Sequence, residues 1–222
     1  MIDGVRLGLA REATGPYKPG TWVYTDKVKT YPYDMEKARR LLAEAGWKPR
    51  DGDGLLVKDG KPFAFELLTN QGNDERKKVA EIVQAQLREL GVTVEIRTLE
   101  WAALLKEHIK KRNFEAIVLG WGIGIDPDQY VVWHSSQTGP DQLNHISYAN
   151  PEVDRLLDEG APVLDPARRF RLFHEAETLV MRDAPWVPLF HPAGSAVRHP
   201  RVRDYELHPL RPSRIEKTWL AW

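Results

Sequence analysis

The residues best suited to ligand chemistry lie in 114–130, FEAIVLGWGIGIDPDQY. Trp121 stands between Gly120 and Gly122, with Gly124 beyond it and the acidic turn Asp126-Pro127-Asp128 next. A large aromatic face flanked by residues without side chains suits stacking on a ligand, and the glycines let backbone come close to it. The plainer alternative is a tryptophan that plugs the top of a sheet. Asp126 and Asp128 suit an amine or a cation, or else they stabilise a helix N-terminus. Their spacing resembles the opening of a calcium loop, but Pro127 and the missing distal glutamate argue against one. A second polar group, Asn70-Gln71-Gly72-Asn73, offers Gln71 to a ligand and Asn73 as a helix cap. His134, Asn144, His145 and Tyr148 form either a polar wall or a hydrogen-bonded loop.

Other chemistries are weakly represented. Thirty-two basic residues balance thirty-two acidic ones, which argues against nucleic acid as the partner. With no cysteine, disulfides, thiolate metal sites and cysteine nucleophiles are excluded. The histidines show no HxH or HxxxH pairing, so no metal site is expected. Neither a GxSxG elbow nor a glycine-rich phosphate loop is present, so no catalytic residue or cofactor is assigned and a hydrolase is only a residual reading. No apolar run approaches the roughly 20 residues that cross a bilayer. The N-terminus lacks the charged start and apolar stretch of a secretory signal.

Elements must hold these groups in place. Residues 1–33 read as an extended lead-in without periodicity. Asp34 caps a helix with Ala38, Leu41, Leu42 and Ala45 inward and Gly46 as its stop. Residues 55–57 and 63–68 flank a turn at 58–62, a β-hairpin. Then come a strand at 63–69, a helix capped by Asn73 with Gly91 as its stop, and a strand at 92–98. A helix with Trp101, Leu104, Leu105 and Ile109 inward precedes the apolar strand 114–119. This βαβαβ order predicts a parallel sheet whose loops at 70–73, 99–100 and 121–126 open on one edge. Beyond it, Asn150-Pro151 and Asp165-Pro166 start two more helices. The first turns Val153, Leu156 and Leu157 inward. The second turns Phe170, Phe173, Ala176, Leu179 and Val180 inward and stops at Pro185. Residues 186–190 read as a strand and the tail as short, proline-interrupted β pieces.

These landmarks, in order, are YPYDMEKARRLLAEAGW, LGVTVEIRTLEW, LGWGIGIDPDQYVVWHSSQ, SYANPEVDRLLDEG and RRFRLFHEAETLVMRDAPWVPLF. Together they resemble the C-terminal lobe of the family 5 extracellular solute-binding proteins, the dipeptide, oligopeptide and nickel receptors of ABC importers. The likeness runs from about residue 4 to the end. It implies an α/β lobe of the type II periplasmic-binding-protein kind, a mostly parallel sheet flanked by helices with a C-terminal β extension. It also implies a non-enzymatic part of a receptor that captures a peptide or similar small solute between two lobes and delivers it to an ABC permease. Residues 1–187 correspond to the second lobe and 188–222 to return material that packs on the first lobe, which is expected to be absent here. Full-length members of the family are periplasmic or cell-surface lipoproteins.

Within that resemblance the expected ligand-binding residues are Trp121, Gly122, Gly120, Gly124, Asp126, Gln71 and Asn144. The family's peptide receptors place an aspartate three residues after the Gly-Trp tryptophan, where it pairs with the peptide's amino group. This sequence has Gly124 at that position and a loop one residue shorter, so Asp126 either substitutes for that aspartate or caps a helix. Other members of the family take oligosaccharides, metal chelates or opines. The competing class is an oligomeric interaction module. An apolar surface at 186–190 and 219–222 would then be covered by the missing lobe or a second copy.

Overall fold

Capping side chains set the helix starts that the sequence predicts. Asp34 accepts the Lys37 N–H, Asn73 that of Arg76, Asn150 those of Glu152 and Val153, and Asp165 that of Arg168. Each satisfies donors that a helix leaves unpaired at its first turn. The computed structural model describes residues 1–28, 31–50, 52–122, 124, 126–194 and 197–205, with the backbone of one strand at 219–220.

In chain order, α1 (Ile2–Arg6) and β1 (Ala10–Glu12) lead to α2 (Met35–Glu44). Three short strands follow, β2 (Lys48–Pro49), β3 (Leu56–Lys58) and β4 (Lys61–Pro62). Next come β5 (Ala64–Asn70), α3 (Asp74–Arg88), β6 (Thr93–Leu99), α4 (Trp101–Ala103) and a π-helical turn at Leu104–Ile109. The remainder is β7 (Ala116–Ile117), α5 (Tyr130–Trp133), α6 (Pro151–Gly160), α7 (Pro166–Asp183), β8 (Phe190–Pro192), β9 (Val202–Arg203) and β10 (Trp219–Leu220). The chain divides into two compact units, Tyr31–Gly120 in one, Ile2–Thr30 and Trp121–Trp222 in the other.

The first unit contains the expected parallel sheet, in the order β6-β5-β7. Leu67, Val94 and Ala80 of α3 meet under it with Leu56 and Val92, and Leu68, Leu104 and Ile109 form a second cluster. Leu104 and Ile109 are five residues apart, and both are buried. An α-helical turn would point them some 140° apart, whereas the wider π turn brings them to one side, with Lys110 N donating to Leu105 O at 2.9 Å. Trp101 stays 43% exposed, against the expectation that it would turn inward. On α2 the inward residue is Leu42. Leu41 and Ala45 are exposed, so the helix covers the sheet by a narrower stripe than its apolar spacing suggests. The hairpin is β3–β4, closed by Asp59 and Gly60, both at positive φ, and residues 64–70 pair into the parallel sheet instead. β7 starts later than the apolar run 114–119, where the Glu66 N–H that would extend the ladder is taken by the Glu115 carboxylate at 2.7 Å.

In the second unit α6 packs on α7 through Val153, Leu156, Leu157, Phe173, Ala176 and Val180, joined by Trp133. Gly160 makes this possible, since a Cβ there would lie 2.6 Å from the Phe173 ring. α7 ends on Ala184 in the left-handed region, just before Pro185. Residues 2–12 are ordered as α1 and β1, contrary to the expectation of an extended lead-in. β1 owes its existence to antiparallel pairing with β8 (Ala10 opposite Pro192, Glu12 opposite Phe190), which leaves no local trace in sequence. The strand expected at 186–190 begins only at Phe190. Trp186 instead packs on the α6–α7 cluster, 5.5 Å from the Trp133 ring, while Val187 is exposed. In the tail, β9 and β10 pair antiparallel. Residues 206–218, 221 and 222, and the Trp219 side chain, lie outside the described residues.

Candidate functional site

Parallel strands release the chain at a common end, where open α/β sheets bind ligands. At that end of the first unit Gln71 is exposed, and its N–H donates to Leu99 O at 2.7 Å, tying the β5 and β6 exits together. Asn70 Oδ1 accepts from Arg76 at 2.7 Å, and the guanidinium lies 5.7 Å over the Trp101 ring. Partial burial lowers the Arg76 pKa. Gly120 is the last residue of this unit, and a Cβ on it would be 3.7 Å from the Arg76 guanidinium.

Trp121 opens the second unit. It is 39% exposed, and one face is covered by the His145 ring, with centroids 5.7 Å apart and planes 13° from parallel. Stacking of this kind fixes the indole and leaves its remaining surface to solvent. Gly122 has open space around it, and Gly124 lies against the Asp126 backbone.

Behind Trp121, Asn144 organises the loop that carries His145. It is fully enclosed, and its amide donates to His134 O at 3.1 Å and Tyr148 O at 2.8 Å. Its side-chain oxygen accepts the Tyr148 N–H at 3.0 Å. Asn144 therefore acts on its loop, which is the structural alternative of the two that the sequence left open. His134 is likewise inside the unit, stacked on Tyr130 at 4.2 Å with Nδ1 accepting the Ser136 N–H. Tyr148 donates to Asp183 at 2.8 Å, and burial together with that carboxylate raises its pKa.

The acidic turn is held from two sides. Arg169 of α7 grips Asp126 through both carboxylate oxygens, at 2.9 and 3.2 Å. Asp126 Oδ1 also accepts the Asp128 N–H, and Asp128 Oδ1 accepts that of Tyr130. Pro127 itself begins no helix. The two aspartates make successive side-chain turns, and α5 starts only at Tyr130. From the other side the Tyr17 hydroxyl, buried, donates to Pro127 O at 2.9 Å.

Sequence reasoning missed Tyr17, Arg76, Arg169 and Glu177. Arg169 and Glu177 each stand four residues from Phe173 on the apolar stripe of α7, but that spacing names neither the partner of Arg169 nor what encloses Glu177. Tyr17 carries no signal. Among the described residues no group of three His, Asp or Glu side chains could hold a metal ion, and no helix is long and apolar enough to cross a membrane.

The sequence pattern described as "Bacterial extracellular solute-binding proteins, family 5 Middle" matches residues 1–142. The chain belongs to that family. It is 37% identical, over its whole length, to the oligopeptide-binding protein AppA of Bacillus subtilis, and spans 41% of that protein. It is 32% identical to heme-binding protein A of Haemophilus influenzae, with 95% of this chain and 37% of that protein aligned. The solved structure of Bacillus subtilis AppA with a nonapeptide superposes on all of this chain, and on 44% of its own, with a TM-score of 0.83 at 35% identity. NikA of Brucella suis, solved with Fe(III)-EDTA, superposes with a TM-score of 0.81 at 26% identity, covering 99% of this chain and 45% of its own. The chain thus spans about two fifths of the length of its relatives. Its fold is that of the family 5 periplasmic binding proteins, as the sequence motifs imply.

Proposed function

We propose that this chain is a non-catalytic, ligand-capturing part of the substrate-binding component of an ABC importer, and that it takes a peptide or similar small solute. The observation that carries this reading is Trp121, a half-exposed aromatic face backed by His145 and followed in the chain by an acidic turn that Arg169 and Tyr17 hold. An aromatic surface backed by a stacked ring and open on its other side suits ligand stacking. Gly120, Gly122 and Gly124 supply close-approaching backbone, Gln71 an exposed amide, and Asn144 fixes the His145 loop. Residues 1–187 act as the lobe proper and 188–222 as the segment that packs on an opposing lobe, carried by this polypeptide, another one or a second copy. The loaded receptor would deliver its cargo to a membrane permease from the periplasm or cell surface. Closure around the ligand would favour the bound state.

One observation supports a second reading, a non-peptide solute such as an oligosaccharide or a metal chelate. The Asp126 carboxylate is already engaged by Arg169, which leaves it poorly placed to take a ligand's amino group. Calorimetry on the purified chain with trialanine, a mixed nonapeptide, maltotriose and nickel-histidine separates the two. Peptide binding that Trp121→Ala weakens about tenfold, the loss of one stacking contact worth about 1.4 kcal/mol, supports the first. Heat from the sugar or chelate alone supports the second, and turnover of an ester, glycoside or peptide would overturn both.

A further inference from the structure

Arg169, Phe173 and Glu177 stand four residues apart on α7 and so form one row. The Arg169 guanidinium lies 5.0 Å over the Phe173 ring and holds Asp126. At the other end of the row Glu177 is enclosed, 7% exposed. It faces Gly15, where its carboxylate leaves no room for a Cβ, and it lines a cavity about one water molecule in size with Tyr17, Gln129, Trp133 and Phe173. Two polar atoms in that wall, Glu177 Oε2 and Gln129 Nε2, have no hydrogen-bond partner. His174 on the same helix has its Nδ1 3.7 Å from Oε2, too far for a hydrogen bond. Burial pushes the Glu177 carboxyl up to about 8. An ionised carboxylate enclosed without a cation costs far more than a neutral one, although the neutral carboxyl also lacks a partner here.

The segment resting on Glu177 also holds the acidic turn, since Tyr17 donates to Pro127 O. We propose that Glu177 is a proton-operated seat for residues 15–17, and that through the Tyr17–Pro127 hydrogen bond its ionisation state sets the shape of the acidic turn Asp126-Pro127-Asp128, which follows Trp121 in the chain. The functional meaning of this coupling rests on the reading of Trp121 as part of the binding site. With Glu177 neutral, the segment seats over it and the turn is clamped from both sides. When Glu177 loses its proton to solvent, the enclosed charge draws in water, residues 15–17 lift, and Pro127 loses its donor. The other groups around the seat do not offset the charge. Asp126 and Asp128 face Tyr17 with the same sign, Arg169 is committed to Asp126, and His174 stands off. α6 contributes only Val153 and Leu157 to the cavity, and neither Lys18 nor His191, which meet at the Tyr17 backbone, lines it.

The test needs no ligand, so it stands apart from any failure of the binding-site reading. The 13C-labelled glutamate carboxyls and the Asp128 and Tyr130 amides are followed by NMR over about pH 6 to 10. The wild-type amides are expected to move with one midpoint near 8, in step with the Glu177 carboxyl. In Glu177→Gln they stay flat. In Tyr17→Phe, which keeps the ring packed and removes only the donor, the carboxyl still titrates and the amides no longer follow. A Glu177 carboxyl titrating in the ordinary carboxylate range, or amides that remain still while it titrates, overturns the proposal. If Glu177→Gln fails to fold, the comparison of wild type with Tyr17→Phe decides.

Discussion

Glu177 carries a stability signature separate from its effect on the loop. Its folded pKa, about 8, lies above the reference value of 4.5, so between those values the folded state binds more protons than the unfolded one. The stabilisation is full below about 4.5 and is lost as pH rises through 8, with a slope approaching about 1.4 kcal/mol per pH unit. Urea denaturation across that window is expected to show wild type losing stability with rising pH, and Glu177→Gln a shallower loss. An equal slope in both proteins would place the effect on another group. Seen in sequence, Glu177 is one more charge on a helix, because what perturbs it is enclosure by Gly15 and Tyr17, about 160 residues earlier in the chain. Trp121 was legible, since the flanking glycines announce a loop. The partner of Asp126 was not, because Arg169 lies 43 positions away and only the packed fold brings them together.

Helices were the most legible elements, because their caps and stops are written in adjacent residues, as in Asn150-Pro151 opening α6. Strand limits were not, since β7 starts late beside a carboxylate and β1 exists only through a distant partner. The π turn at Leu104–Ile109 escaped for a different reason: apolar spacing alone does not distinguish a turn closed at four residues from one closed at five. At this scale Gly160 is the most exacting position. Gly160→Ala introduces a Cβ 2.6 Å from the Phe173 ring, and the displacement of that ring is expected to cost about 1–3 kcal/mol despite the better helix propensity of alanine. A thermal melt at or above that of wild type would mean that α6 and α7 have slack.

For the whole molecule, the division into two units makes a direct prediction. Both apolar clusters of residues 31–120 are built wholly from that stretch, and its sheet, hairpin and covering helices are continuous in sequence. A chain of this size with its own core is large enough to fold alone. Expressed by itself, 31–120 is expected to give dispersed amide spectra and a cooperative melt, and a collapsed, non-cooperative product would show that it borrows stability from the rest. The other unit is discontinuous in sequence, and its first strand pairs with β8 after an interval of about 180 residues. On a ribosome elongating at about 5–20 residues per second, residues 10–12 therefore wait roughly 10–40 s for a partner. Throughout that time the Tyr17 segment lacks the α7 surface it rests on, which makes residues 10–17 a stretch that a chaperone would need to shield.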